Sequence, residues 1–269
     1  MKLCEAIEIL TSAGVPSPRY DARELFIRIG KMNPLELISP NTECFSEELC
    51  TAIERRKKRE PLQYIIGEVD FYRESYKVTP DCLIPRQDTE ILVDYAVKHI
   101  PSGAHFIDLC TGSGCVAIST LKNTSDTSAL AVDISDSALS LARYNADKNG
   151  VSERISFASA DVLDKPICDK VFAVLSNPPY VTEEAYQSLD PEIYFEPKIA
   201  FVGGKSGTAF YERIIELYKD IISESGFIGF EIGYDQADAL RALADSSKMT
   251  CEIIKDYSQN DRLAILKKK

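Results

Sequence analysis

Basic charge is scarce in this sequence: 31 Lys and Arg stand against 42 Asp and Glu, a formal net charge of −11. A protein that lives on naked nucleic acid draws most of its affinity from neutralising phosphates and needs the opposite balance. The charge argues against that role, although a local basic patch inside an acidic whole stays compatible with it. Histidine is nearly absent, with only His99 and His105, and none of the eight cysteines forms a C-x-x-C pair. No ligand set for structural zinc is expected, and reduced thiols in a cytoplasmic protein are the expected state. Long apolar runs are missing too. The opening MKLCEAIEIL is interrupted by Glu5 and Glu8, so neither a signal peptide nor a membrane span is expected.

What remains is 269 residues, 45% hydrophobic and 27% charged, enough for one large domain or a medium one with a smaller companion. The first sixty residues carry helical spacing. Leu3, Ile7 and Leu10 repeat on one face and Gly14 is a stop signal; Asp21–Gly30 repeats the pattern through Ala22, Leu25, Phe26 and Ile29. A third helix is expected from Ser46 as N-cap, through Leu49, Ala52 and Ile53, to Pro61. Between Gly67 and Ile84 the residues Val69, Phe71, Tyr72, Tyr76, Val78 and Leu83 predict a short hairpin or extended connector, with Thr79-Pro80-Asp81 as turn material.

After Glu90 short apolar strands alternate with helices. Strands are expected at His105–Cys110, Ala129–Ser135, Ile155–Asp161, Phe172–Asn177, Phe227–Gly233, Cys251–Tyr257 and Leu263–Leu266, with helices at Asp136–Asn149 and Phe210–Ser225. This is an α/β pattern with a largely parallel, Rossmann-like sheet, and the short last connection predicts an antiparallel C-terminal hairpin. The expected division is a helical domain over 1–66, a connector over 67–90 and an α/β domain over 91–269.

His105-Phe-Ile-Asp-Leu-Cys-Thr-Gly-Ser-Gly-Cys115 runs from a strand through a glycine-containing turn into a helix. Such turns lie at strand carboxyl ends, where open parallel sheets bind ligands, and the helix N-terminus offers free N–H groups. Taken alone, an ordinary turn remains an open reading. The spacing is not G-x-G-x-x-G. It resembles the first motif of class I methyltransferases, D-x-G-x-G-x-G, with Asp108 leading and Cys110 in place of the first glycine, so the backbone at Cys110 is expected to suit a residue with a Cβ. Thr111, Gly112, Ser113 and Gly114 complete the turn. Asp133 ends the next strand, where a carboxylate can accept both ribose hydroxyls, and Asp161 ends the third beside Val162, where an adenine would lie. Each Asp alone is an ordinary strand end or N-cap. The combination resembles an S-adenosylmethionine pocket.

Asn177-Pro178-Pro179-Tyr180 follows the fourth strand. Two prolines fix two φ angles and remove two N–H groups, leaving a rigid turn that exposes carbonyls. The Asn177 side-chain oxygen and the Pro178 carbonyl can each accept one N–H of a planar –NH2 group, and Tyr180 offers an aromatic face to stack on it. An amide nitrogen is a poor nucleophile, so alignment is what such a turn can supply. The turn by itself suits a glutamine amide or the exocyclic amine of a nucleobase.

The chain as a whole resembles the release factor glutamine methyltransferase (HemK/PrmC) family. Ser17-Pro-Arg-Tyr-Asp-Ala-Arg23 and Glu60-Pro-Leu-Gln-Tyr-Ile-Ile-Gly67 look like its N-terminal domain, and Leu83-Ile-Pro-Arg-Gln-Asp-Thr-Glu90 like its connector, with Gln87 where proline is usual. Phe195-Glu-Pro, Gly203-Gly204, Gly207 and Glu231-Ile-Gly233 are similar to its late catalytic segments. The resemblance implies an N-terminal helical recognition domain, a hairpin linker and a class I methyltransferase domain. It implies methyl transfer from S-adenosylmethionine, leaving S-adenosylhomocysteine, to the glutamine of a Gly-Gly-Gln motif in release factors. Direct nucleic-acid or membrane partners and a metal are not implied. Pro85, Arg86 and Thr89 would help close the site, Arg86 contacting substrate or else pairing with Asp88 or Glu90. The Arg55-Arg-Lys-Lys-Arg59 run could meet a partner or form a solvated helix end. Two other readings share the pocket: a nucleic-acid amino-methyltransferase acting on a flipped base, and a non-catalytic binder of the same cofactor.

Overall fold

Helix formation at the N-terminus follows its caps. In a computed structural model that describes residues 1–269, α1 covers Leu3–Ser12, α2 Pro18–Arg28, α3 Glu47–Lys57 and α4 Leu62–Ile66. α2 starts three residues before Asp21, because Pro18 suits the first helical turn, where its missing N–H is no loss. Ser46 caps α3 as expected, its Oγ accepting from Leu49 N at 3.1 Å. α4 was not legible: five residues are too few to show a helical period, and the helix stops on Gly67 at φ +88°. Leu3, Leu10, Leu25, Phe26, Leu49 and Ile53 form the core of this helical unit. Residues Met1–Val69 together with Asp190–Phe195 make up the unit, and Asp70–Leu189 with Glu196–Lys269 make up a second.

The basic run 55–59 is in part the solvated helix end expected of it, with Lys57 and Lys58 exposed, while its arginines are engaged by carboxylates. Arg56 is buried; its Nε donates to Asp21 at 2.7 Å and its Nη2 to Glu192 at 2.9 Å. Arg59 holds the same Glu192 through two bonds of 2.6 Å. Arg55 chelates Glu60, and Lys57 pairs with Glu54 at 3.3 Å. Arg56 alone is turned fully inward, because the 190–195 segment and Asp21 bring carboxylates that one-dimensional spacing cannot display.

The chain passes into the second unit within β1 (Glu68–Phe71), which forms the expected hairpin with β2 (Glu74–Lys77). The chain reverses at Tyr72 and Arg73, at φ +48° and +81°, a pair of left-handed residues of the kind a tight hairpin turn needs. No glycine or asparagine marks it. Instead Tyr72 is held by α5 (Glu90–His99), its N–H bonding Glu90 at 3.0 Å and its hydroxyl Asp94 at 2.7 Å.

The remaining elements are β3 (His105–Leu109), α6 (Cys115–Lys122), β4 (Ser128–Asp133), α7 (Asp136–Lys148), β5 (Ile155–Ser159), β6 (Val171–Ser176), α8 (Glu183–Tyr186), α9 (Ala209–Tyr218), β7 (Ile222–Glu231), α10 (Ala237–Ser246), β8 (Met249–Lys255) and β9 (Asp261–Lys268). The strands form one sheet in the order β5-β4-β3-β6-β7-β9-β8, parallel except for β9, which runs antiparallel to both neighbours. All seven expected strands are present. The expected helix Phe210–Ser225 is corrected: α9 ends at Tyr218 and Ile222 already pairs with Val171 in the sheet. The polar run Ser223-Glu-Ser continued the helical pattern in sequence, but it lies within β7, between the rungs that Ile222 and Phe227 make with β6.

Ile107, Leu109, Val174, Ile228 and Phe230 are buried within the sheet and carry its core with Tyr211, Ile214 and Tyr218 of α9. Each such side chain contributes about 1.5–3 kcal/mol by leaving water. The strand order has one consequence for function. From β3 the chain winds outward through β4 to β5, then returns to place β6 on the other side of β3. The loops after β3 and β6 therefore diverge, and a crevice opens between them at the carboxyl ends.

Candidate active site

The crevice holds a cavity of about 290 Å³. Of the residues singled out from sequence, Asp108, Cys110, Thr111, Gly112, Ser113, Asp133, Asp161, Val162, Asn177, Pro179 and Arg86 line it, together with Pro85 and Thr89. Gly114, Pro178 and Tyr180 lie outside its wall. Sequence reasoning missed Cys82, Ala138, Ile199 and Phe210, which also line it. Their apolar character was indistinguishable from that of core residues.

Asp108 is 1% exposed at the end of β3. Its Oδ2 accepts from Thr111 Oγ1 at 2.6 Å and from Ala117 N at 3.2 Å, which ties the strand end to the start of α6. Burial, reinforced by the charge of Asp133, pushes its carboxyl up to about 7 against the pull of these hydrogen bonds. Asp133 accepts from Gly112 N at 2.8 Å through Oδ2 and from Ser135 N at 3.0 Å through Oδ1. Each oxygen keeps a further lone pair. Asp161 is exposed just beyond β5, not within it, its Oδ1 accepting from Leu163 N at 2.9 Å.

Cys110 corrects an expectation. Its φ is +60°, the left-handed region that favours glycine. The sequence departs from the motif at a position where the backbone has kept the glycine conformation, which costs on the order of 1 kcal/mol and leaves the thiol against the cavity. Gly114 is also left-handed, at φ +82°, and is short of space as well: a Cβ would stand 2.8 Å from Ile118 Cδ1 and 3.2 Å from Ala142 Cβ, where α6 and α7 pack.

Arg86 is the second correction. Its partner is neither Asp88 nor Glu90 but Glu196, which is nearly fully buried and also accepts from Ile84 N at 2.9 Å. Burial raises the Glu196 carboxyl, and Arg86 only partly offsets this. Asp88 instead faces Arg262 at 3.4 Å. The pairing spans 110 residues and has no local signature.

On the other wall, Ser176 Oγ donates to Leu109 O at 2.7 Å and joins the ends of β6 and β3. Asn177 Nδ2 donates to Thr89 Oγ1 at 3.2 Å. The Tyr180 ring packs on the sheet core and its hydroxyl donates to Glu231 at 3.4 Å. The cavity thus carries four carboxylates, Asp81, Asp108, Asp133 and Asp161, and its one arginine is already engaged by Glu196. Carboxylate acceptors at strand ends among apolar walls fit a hydroxyl-bearing, cationic ligand such as S-adenosylmethionine.

A seven-stranded sheet with a reversed β9 and this carboxyl-end site define a class I methyltransferase. The fold is shared with the ribosomal protein L11 methylase of Lactobacillus delbrueckii subsp. bulgaricus, at a TM-score of 0.51 and 20% identity over 68% of this chain and 81% of that one. Family profiles described as "PrmC N-terminal domain" and "Methyltransferase small domain" match residues 3–67 and 87–192. The chain is 38% identical over 258 residues to the release factor glutamine methyltransferase of Thermodesulfovibrio yellowstonii, covering 92% of both. It is 34% identical to that of Fusobacterium nucleatum, over 98% of this chain and 77% of the other. The chain belongs to the release factor glutamine methyltransferase family. No helix is long and apolar enough to cross a membrane.

Proposed function

We propose that this protein methylates the side-chain amide nitrogen of the glutamine in the Gly-Gly-Gln motif of peptide chain release factors, with S-adenosylmethionine as donor. The observation that carries this reading is the orientation of Asn177. Its –NH2 is taken by Thr89, and its Oδ1 has no partner within the chain. An acceptor of this kind on a cavity wall suits a substrate that presents N–H groups.

Asp133 would hold the ribose hydroxyls, Asp161 and Val162 would flank the adenine, and the β3–α6 turn with Asp108 would take the amino-acid end. S-adenosylmethionine, when bound, supplies an electrophilic methyl group on a sulfonium. Asn177 Oδ1 would accept one amide N–H at the cavity wall and the Pro178 carbonyl, next in the same turn but outside that wall, would accept the other, holding the nitrogen in place, which is what a weak nucleophile needs most. Pro179 keeps the turn rigid, and the apolar wall excludes water. The methylated nitrogen gives its surplus proton to solvent as the product leaves, so no prior base is required. The helical unit serves substrate recognition.

Replacing Asn177 with Ala removes one acceptor and leaves the carbonyl scaffold. A buried N–H left unpaired costs about 1–3 kcal/mol, and loss of alignment adds to it, so turnover should fall at least about tenfold with cofactor affinity little changed. Mass spectrometry of the wild-type product should show one methyl on the Gly-Gly-Gln glutamine. A methyl on nucleic acid or another residue type defeats the reading; full turnover by Asn177→Ala defeats the clamp. Asp133→Ala should weaken S-adenosylmethionine binding by about 1–3 kcal/mol through lost charged hydrogen bonds. Calorimetry giving wild-type affinity in the folded variant removes Asp133 from the site.

A further inference from the structure

Glu231 ends β7, is 3% exposed and does not line the cavity. Its carboxylate nonetheless holds two groups belonging to the Asn177–Tyr180 side of the site. Oε2 accepts from Thr89 Oγ1 at 2.5 Å, and Oε1 accepts from the Tyr180 hydroxyl at 3.4 Å. A threonine hydroxyl has one proton. With that proton committed to Glu231, Thr89 Oγ1 can only accept from Asn177, and the Asn177 amide must turn its –NH2 toward Thr89.

We propose that Glu231, acting through Thr89, is a positioning residue that selects the amide orientation of Asn177 and so makes Oδ1, and not –NH2, the group presented to the substrate. The inference rests on the amide-clamp reading above. Its chemical logic is donor matching. In the opposite orientation the Asn177 –NH2 would face the substrate –NH2, and two donors cannot bond. Glutamine recognition therefore depends on a carboxylate that never touches glutamine.

The same relay links turnover to protonation. A protonated Glu231 can donate to Thr89, which releases the threonine proton to Asn177 and favours the inverted amide. The groups that face Glu231 are Thr89 and Asp88 ahead of α5, Tyr180 after β6, Arg262 on β9 and Tyr211 on α9; the Tyr211 hydroxyl bonds the Glu231 main-chain oxygen at 3.2 Å. Burial pushes the carboxyl up to about 7; Thr89, Arg262 and Tyr180 pull it down and Asp88 raises it. Turnover should therefore rise with pH through this region. Asp108, also pushed up to about 7, lines the cavity and is the competing source of such a limb.

Thr89→Val removes the hydroxyl and Thr89→Ser keeps it. Both are tested in the full chain with S-adenosylmethionine and an intact release factor. Thr89→Val should lose about tenfold in kcat, with both KM values within about threefold and the acid limb flattened. Thr89→Ser should recover to within about threefold of wild type with the limb restored. Wild-type kcat in Thr89→Val, equal damage in Thr89→Ser, or an acid limb retained in Thr89→Val overturns the relay, the last assigning the limb to Asp108. If the wild-type methyl is on the glutamine amide, these outcomes bear on the relay alone; if it is elsewhere, the functional reading falls and the relay with it.

Discussion

Gly203→Ala is expected to lower turnover about 100-fold while leaving S-adenosylmethionine affinity within about threefold, since misplacement of a reacting group by about 1 Å can cost that much. The reason is a close approach of two loops. A Cβ on Gly203 would lie 2.1 Å from the carbonyl oxygen of Pro179 and 3.0 Å from Tyr180 Cα. Gly203 N donates to Val181 O at 2.9 Å and Val181 N to Phe201 O at 2.8 Å, so the 201–203 segment is laced to the turn and cannot swing aside without breaking these bonds. An added methyl must therefore push Pro179 and Tyr180, and with them the proposed amide clamp. Asp108 and Asp133 stand on β3 and β4 and are spared. Single-turnover kinetics and calorimetry on the folded variant provide the check. Turnover within about threefold of wild type would show that the turn tolerates displacement and that its geometry is not what limits the reaction.

The second large effect is on stability. Arg56→Ala should destabilise the protein by about 3–5 kcal/mol, because it leaves a buried carboxylate without its partner. Arg56 is 5% exposed and bonds Asp21, Glu192 and the Glu60 carbonyl. Glu192 keeps Arg59, but Asp21, itself 5% exposed, loses its only cation. Burial already raises the Asp21 carboxyl in spite of Arg56, and removing the arginine raises it further. A raised carboxyl penalises folding above its unfolded-state value and is relieved as pH falls, so the deficit should shrink in acid. Urea unfolding at neutral and mildly acidic pH measures both. A loss below about 1 kcal/mol at neutral pH would mean that water or a neighbour replaces Arg56.

Local chemistry accounts for what could be read before the structure. Ser46 caps α3 because a serine oxygen reaches the N–H three residues on, a fact of backbone geometry that needs no tertiary context. Strands β3, β4 and β6 were legible because residues buried on both faces of a sheet are apolar in sequence too. Where the local rule was weak, the reading slipped. α4 is shorter than two turns, the Tyr72–Arg73 reversal lacks the usual turn residues, and Ser223–Ser225 follows the helical pattern of α9 although it belongs to β7.

The sequence by itself determined the strand ends that carry Asp108, Asp133 and Asn177, since a short apolar run followed by an acidic or proline-rich turn has one economical reading in an α/β chain. Tertiary structure alone decided what those groups face. Arg86 meets Glu196 and Asn177 meets Thr89, while Thr89 meets Glu231 across 142 residues. Arg56 finds Glu192 across 136 residues. The site pairings follow from the order β5-β4-β3-β6-β7-β9-β8, which brings the ends of non-consecutive strands together, whereas Arg56 meets Glu192 because residues 190–195 belong to the helical unit. Hydrogen-bond direction is decided last of all, because which atom donates depends on every partner in the chain of bonds, and that information exists only once the side chains are folded against one another.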